Sequence, residues 1–237
     1  MRFSCESLTQ KSRFGHFVGN VTEGDHQTMI PGRIEVMQSS PTVYAVIPVF
    51  NRLSFTRECI RFLKTQTYKP IRIVVADGGS TDGTPEAIRA EHPDVMVLTS
   101  EEVLWWSGSM AMGIKYVLHE SEDVDDFILM MNNDTKIPDD YVKILVRAAK
   151  THDAAVAPLI VDHHDENRIL DAGVHIDWET YKFSVKSNID VDDHFCHDVD
   201  TLSGRGSLLP LRMVRKVGNI NTKSFPHYIA LQRYIVK

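Results

Sequence analysis

The chain has 237 residues, 43% hydrophobic and 24% charged, with a formal net charge of −6. That length supports one large domain with a real core, and the acidic balance argues against a nucleic-acid partner, which selects for basic excess. Cys5, Cys59 and Cys196 lack any CxxC spacing and read as reduced structural thiols; no stretch nears the ~18 apolar residues of a membrane span and no signal-peptide core opens the chain, so it reads as cytoplasmic.

Residues 1–40 show no sustained hydrophobic period and are expected to be a poorly ordered extension. At Val43 the pattern changes. The run Val43 to Val49 is short, apolar and rich in β-formers, which predicts a buried strand. Ser54 is expected to cap a helix carrying Phe55, Cys59, Ile60, Phe62 and Leu63. Ile71 to Ala76 is a second buried strand. It runs into Asp77-Gly78-Gly79-Ser80-Thr81-Asp82-Gly83-Thr84, a loop dense in turn formers, and Thr84-Pro85-Glu86 opens the next helix with Pro in its first turn.

Val95 to Leu98 predicts a third strand, and Ser107 to Leu118 a helix with Met110, Ile114 and Val117 on one side. Phe127 to Met131 is a fourth strand ending at Asn132-Asn133-Asp134. Pro138-Asp139-Asp140 starts a helix running to about Thr151, the two acids suiting its N-terminus. Strands alternating with helices on short loops imply an α/β fold with a mostly parallel, Rossmann-type sheet covered on both faces. Beyond Ala154 the pattern loosens. Ala154 to Pro158 is strand-like, Ile169 to Val185 suggests a β-hairpin, and Leu208 to Val217 reads as a strand end followed by a helix.

Ligands of such sheets sit beyond the carboxyl ends of the strands. Three polar clusters fall there: Asn51-Arg52, Asp77 to Thr84, and Asn132 to Asp134. One Asp after a strand is usually a turn former; three such clusters together point to a binding site. His163-His164-Asp165-Glu166 reads as an exposed loop, since adjacent residues converge poorly on one ion. Asp190, Asp192, Asp193 and Asp198 read as a solvated face. Neither a G-x-S-x-G elbow nor a G-x-x-x-x-G-K-[ST] phosphate loop occurs.

All three of these segments carry a family resemblance. Val46-Ile47-Pro48-Val49-Phe50-Asn51-Arg52 resembles the opening strand of glycosyltransferase family 2. Val74 to Thr84 resembles its second-strand signature, a hydrophobic strand followed by D-x-x-S-x-D-G-T. Asn132-Asn133-Asp134-Thr135 is similar to the family's D-x-D-type motif in an N-x-D form. The resemblance spans about Val43 to Tyr228 and implies a GT-A-like fold, with a donor half over 41–153 and an acceptor half, including a small hairpin, over 154–237. It implies a nucleoside-diphosphate sugar (UDP-, dTDP- or GDP-linked) as donor, a glycan or lipid-linked acceptor, and transfer with inversion. Donor contacts are then expected from Pro48, Phe50, Asn51, Arg52, Asp77, Gly78, Ser80, Asp82, Ser107, Gly108, Asn132 and Asn133. Asp77 falls near the base, beside Pro48, Phe50 and the Arg52 side chain. Asp134 is the expected ligand of a Mg²⁺ or Mn²⁺ ion, which disperses the charge of the departing diphosphate. One Asp suffices for Mg²⁺, which keeps several waters and binds phosphate oxygens. Asn132 is expected at the ribose or a ligand water.

Trp105 to Ile114 resembles the segment before the fourth strand, with Ala111 where members commonly carry Asn; Trp105 and Trp106 suit either core packing or a pocket wall. Leu202 to Leu208 resembles the acceptor-side segment, with Ser203, Gly204 and Arg205 as contacts. There Arg205 is expected at a phosphate, at the acceptor or simply in solvent. The family's catalytic Asp or Glu is expected near Leu231, after Phe225 to Ala230. No carboxylate stands there, and no Asp or Glu follows Asp200. Three explanations compete: a shortened or altered C-terminus, a base drawn from Asp198, Asp200 or His227, or a module that binds donor without turnover. Loss or weakening of catalysis is the favoured expectation. The seven cations after Asp200 suit peripheral contact with an anionic membrane face, or solvent.

Overall fold

The computed structural model describes residues 40–223, except 163, 166, 181 and 186–198. The expected extension over 1–40 therefore lies, but for Ser40, outside the described residues, as do the region near Leu231, His227, Asp198 and the Asp190–Asp193 stretch.

The order is β1 (Val43–Val49), α1 (Leu53–Thr65), β2 (Ile71–Asp77), α2 (Thr84–Glu91), β3 (Met96–Thr99), α3 (Trp106–Glu120) and β4 (Phe127–Met130). Then follow α4 (Tyr141–His152), β5 (Ile160–Val161), β6 (Ile169–Asp171), β7 (Val174–Asp177), β8 (Lys182–Val185), β9 (Ser207–Pro210) and α5 (Leu211–Val217). The central sheet has strand order β3-β2-β1-β4-β9, parallel but for β9, which runs antiparallel to β4. The mostly parallel α/β sheet expected from the sequence is thus present.

Alternation along β1 explains the two layers. Val43, Ala45, Ile47 and Val49 point into a core with Ile60 and Leu63 of α1, Ile88 of α2, and Val142 and Leu145 of α4. Tyr44 and Val46 point the other way, into a core with Met110, Ile114 and Val117 of α3 and Val214 of α5. Both faces of β1 are buried, so its sequence reads as continuous apolar residues rather than alternating ones. On the second face α3 lies close to the sheet at Gly113, where an added Cβ would stand 2.3 Å from Val46 Cγ1. Gly113→Ala is expected to cost about 1–3 kcal/mol through overpacking, read as a lower denaturant midpoint with an unchanged slope.

Several boundaries differ from expectation. Ser54 is not the cap of α1. The helix starts at Leu53, preceded by Arg52 in the left-handed region at φ 65° with no side-chain cap of its own. The Leu53 N–H instead donates to Asp82 Oδ2 at 3.4 Å, a cap delivered from the next loop. Helix α4 starts at Tyr141, not Pro138; Asp139 is drawn away to accept from Thr65 Oγ1 at 2.9 Å. Ala154 to Pro158 forms only one bridge, Val156 with Leu208. The expected hairpin over 169–185 divides: β6 pairs back with β5, and only β7 and β8 form an antiparallel hairpin. Among the described residues no helix is long and apolar enough to cross a membrane.

Candidate functional site

Because β1, β2 and β4 are parallel, their carboxyl ends open onto one edge. The three polar clusters meet there and are tied by side chains. Asn51 N–H donates to Ser80 Oγ at 2.6 Å and Thr81 N–H to Asn51 Oδ1 at 2.9 Å. Arg52 Nη1 reaches Asp134 Oδ2 at 3.3 Å. Asn51 and Arg52 are both left-handed, at φ 59° and 65°. Consecutive non-glycine residues in that region are uncommon, and such backbone concentrates at functional sites.

Asp77 is 1% exposed and builds its own loop. Its Oδ1 accepts from the Gly79 and Ser80 N–H groups at 3.0 and 2.9 Å, and its Oδ2 accepts from the Ser80 hydroxyl. A carboxylate offers about four lone-pair sites, so these three donors leave one. Gly78 continues the sheet, donating to Val49 O at 2.8 Å and accepting from Leu104 N–H at 2.9 Å. Pro48 is buried within β1 and Phe50 is half exposed at the strand end.

Asp82 organises two helix starts, accepting from Leu53 N–H and, at 3.1 and 2.5 Å, from the N–H and hydroxyl of Thr84. Burial pushes its carboxyl up, but the bonds from Thr84 and Leu53 outweigh that and hold it below the ordinary 3.8. With a depressed folded value, the stabilisation is present above the unfolded value and is lost as the pH falls through the folded one. Asp82→Ala is expected to cost about 1 kcal/mol, as for loss of a helix cap. The gap between wild type and variant in denaturant melts should narrow as the pH drops below 3.8.

Asn132 Oδ1 accepts from Trp106 Nε1 at 2.9 Å, which leaves the amide nitrogen as its route to a ligand. Asn133 Nδ2 donates to Thr56 Oγ1 at 3.2 Å, so this residue ties the third cluster to α1. The two tryptophans separate: Trp106 packs on the α3 side of the sheet while Trp105 is 61% exposed. Ser107 is buried and Gly108 half-buried in the first turn of α3. Ala111 lies in the α3 layer, its carbonyl accepting from Asn219 Nδ2 at 2.8 Å.

The side chain of Asp134 is 14% exposed. Burial pushes its carboxyl above the ordinary range, against the pull of Arg52 and, further down, Arg205. Its Oδ1 and the neighbouring Thr135 Oγ1 are buried without a partner among the described residues. Buried orphan oxygens are rare, and such a pair suits a bound cation. The donor set suits a hard divalent cation that also binds phosphate oxygens and water. No group of three His, Cys, Asp or Glu placed to hold a metal occurs among the described residues; His163 and Glu166 lie outside them.

The antiparallel β9 starts beside the end of β4: Gly206 N–H donates to Met130 O at 2.7 Å. This brings Ser203, Gly204 and Arg205 to the same edge. Ser203 O accepts from the Ser207 hydroxyl. Arg205 is not a solvated cation; its Nη2 meets Asp171 Oδ2 at 3.2 Å, and that side chain is 6% exposed. Asp171 thus orients Arg205 near Asp134, a pairing without a local sequence signature because 34 positions separate the two. Asp200 accepts from Ile176 N–H at 3.0 Å and lies 3.2 Å from His175 Nδ1. The Ile176 N–H leads in holding its carboxyl below the ordinary range, which weakens it as a base.

A mostly parallel sheet with a polar cradle at its carboxyl edge, an N-x-D turn and an antiparallel strand returning beside it define a GT-A-type fold. A family model described as "Glycosyl transferase family 2" matches residues 44–208. The chain belongs to that family. It is 30% identical over 107 residues to the N-acetylglucosaminyl-diphospho-decaprenol L-rhamnosyltransferase of Mycobacterium tuberculosis, covering 42% of this chain and 35% of that protein. Glycosyltransferase GlyG of Streptococcus pneumoniae is 26% identical over 131 residues, 54% of this chain and 42% of its own length. In fold, the chain is similar to the mannosyltransferase PcManGT from Pyrobaculum calidifontis, solved with GDP-Man and Mn²⁺. The TM-score is 0.52 at 18% identity, over 77% of this chain and 48% of that one. S. aureus TarS 1-349, solved with UDP, gives a TM-score of 0.57 at 14% identity, over 82% and 54% of the two chains. The chain spans about half or less of the length of these proteins.

Proposed function

We propose that this chain binds a nucleoside-diphosphate sugar together with Mg²⁺ or Mn²⁺ and transfers the sugar, with inversion, to a glycan or lipid-linked acceptor. The Oδ1 of Asp134, buried without a partner among the described residues at the shared edge of three polar clusters, carries this reading. Asp134 would hold the ion, whose contribution is to neutralise charge growing on the departing diphosphate. Arg205, held by Asp171, adds a fixed guanidinium on the same side. Preorganised cations of this kind stabilise a leaving group without reorganising during the reaction. Asn132 offers its amide N–H to a ribose or phosphate oxygen. Asp77 offers its remaining lone pair to a base N–H, with Pro48, Phe50, Asn51 and Gly78 as the backbone around it. Ser80 and Asp82 keep that loop in shape, and Ser107, Gly108 and Asn133 frame the sugar side. Ser203, Gly204 and Arg205 face the acceptor. The donor half is 41–153 and the acceptor half 154–237.

A second reading has its own observation. Asp200, one of the carboxylates weighed as the base, is engaged by the β7 backbone. A positioned base is worth roughly 10² to 10⁴ in rate, so a chain without one would bind donor and turn it over feebly. Incubating the purified chain with UDP-, dTDP- and GDP-sugars and a lipid-linked acceptor separates the readings. Release of nucleoside diphosphate that requires acceptor supports transfer. Donor binding without release supports a binding module, and absence of nucleotide binding contradicts both.

A further inference from the structure

The carboxylate proposed to bind the metal has a cation as its hydrogen-bonding partner. Arg52 Nη1 stands 3.3 Å from Asp134 Oδ2, its side chain 54% exposed against 14% for the carboxylate. The guanidinium, which also lies 5.7 Å from the Phe55 ring centroid, has room to swing toward solvent, while its partner is largely buried. The backbone is set for this contact: Asn51 and Arg52 are both left-handed, and Asn51 is pinned by Ser80 and Thr81. The family resemblance suggested that the Arg52 side chain lines the base pocket near Asp77; here it turns to the third cluster instead.

Charge counting gives the consequence. Asp134 supplies one negative charge, which Arg52 already neutralises. The nearby Arg205 adds further positive potential at Asp134, partly offset by its pair with Asp171. A divalent ion arriving alone would share a single carboxylate with a guanidinium, and like charges crowd each other in a partly buried site. A diphosphate arriving with the ion changes the balance. It brings enough negative charge for both cations, and guanidinium binds phosphate oxygens at least as well as carboxylate.

We infer that Arg52 is a positioning residue that withholds Asp134 from a bare divalent ion and passes to the diphosphate when metal and nucleotide enter together. Metal and nucleotide binding are coupled through this exchange of partners. The inference rests on the proposal that Asp134 holds the metal. Coupling of this kind is reciprocal and typically spans 5- to 150-fold.

The test is Mn²⁺ affinity by electron paramagnetic resonance on the full chain, with and without the tightest binder among UDP, dTDP and GDP. In wild type the nucleotide should tighten Mn²⁺ by about tenfold or more. Arg52→Gln should bind bare Mn²⁺ several-fold more tightly than wild type and gain less from nucleotide. Arg52→Lys, which keeps the charge, should resemble wild type. A residue that merely holds the loop in shape would weaken metal binding when lost, the opposite direction. Equal bare-metal affinity in wild type and Arg52→Gln, or weaker affinity in the variant, overturns the inference while leaving Asp134 as ligand. Mn²⁺ binding that survives in Asp134→Asn removes both this inference and the metal assignment beneath it.

Discussion

Asp134→Asn is expected to abolish metal-dependent nucleotide binding and to leave the fold intact or slightly more stable. The first half follows from the donor set, in which Asp134 is the carboxylate at the meeting point of the clusters, with an orphan Oδ1. An amide keeps the shape and removes the charge, and a neutral oxygen competes poorly for a hydrated dication. The second half follows from burial, which pushes the Asp134 carboxyl above the ordinary range. An acid raised in the folded state costs stability as the pH rises through the window between its unfolded and folded values, and that cost persists at neutral pH. Asparagine removes it, while the exposed Arg52 partner returns to water. Loss of Mn²⁺ response together with an unchanged or higher Tm would match this account. A large drop in Tm would mean that Asp134 is primarily structural.

Gly206→Ala is expected to be the most damaging small substitution near the site, for two independent reasons. Gly206 sits at φ 88°, and an added Cβ would lie 2.2 Å from the Tyr141 hydroxyl. The left-handed backbone alone costs a non-glycine residue about 1–2 kcal/mol. The clash adds to that, because Tyr141 is buried and cannot swing away; its hydroxyl donates to Gly206 O at 2.8 Å. A total of about 3 kcal/mol or more is expected, read by denaturant melts at fixed temperature. Function should suffer beyond stability, since Gly206 N–H bonds to Met130 O at the end of β4 and Arg205 is its neighbour. Nucleotide affinity measured at a temperature where the variant is fully folded should therefore fall. Tyr141→Phe serves as the milder companion, removing one buried hydrogen bond worth about 1 kcal/mol without strain in the loop.

Much of this arrangement was legible because the informative signals are local. The buried strands β1 and β2 announce themselves as uninterrupted apolar runs, and the loop from Asp77 to Thr84 as a run of turn formers. The parallel order then places Asn51, Asp77 and Asn132 at one edge without further information. What the sequence hid was contact between distant segments. The cap of α1 comes from Asp82, 29 positions away, so Ser54 looked like the better candidate. The Arg52–Asp134 pair spans 82 positions and Arg205–Asp171 spans 34. Neither has a local pattern, because a charged residue in a polar loop reads the same whether it is solvated or paired. The hairpin region departs from expectation for a related reason: β5 and β6 are so short that pairing, not propensity, decides their state.

The central claim is that the edge built from Asn51, Asp77 and Asp134 is a metal-assisted site for a nucleoside-diphosphate sugar. Its most direct test is calorimetric titration of the purified chain with UDP-, dTDP- and GDP-sugars, with and without Mn²⁺. The account predicts saturable binding of at least one of them that strengthens markedly with Mn²⁺. Failure of every nucleotide sugar to bind in both conditions would contradict it.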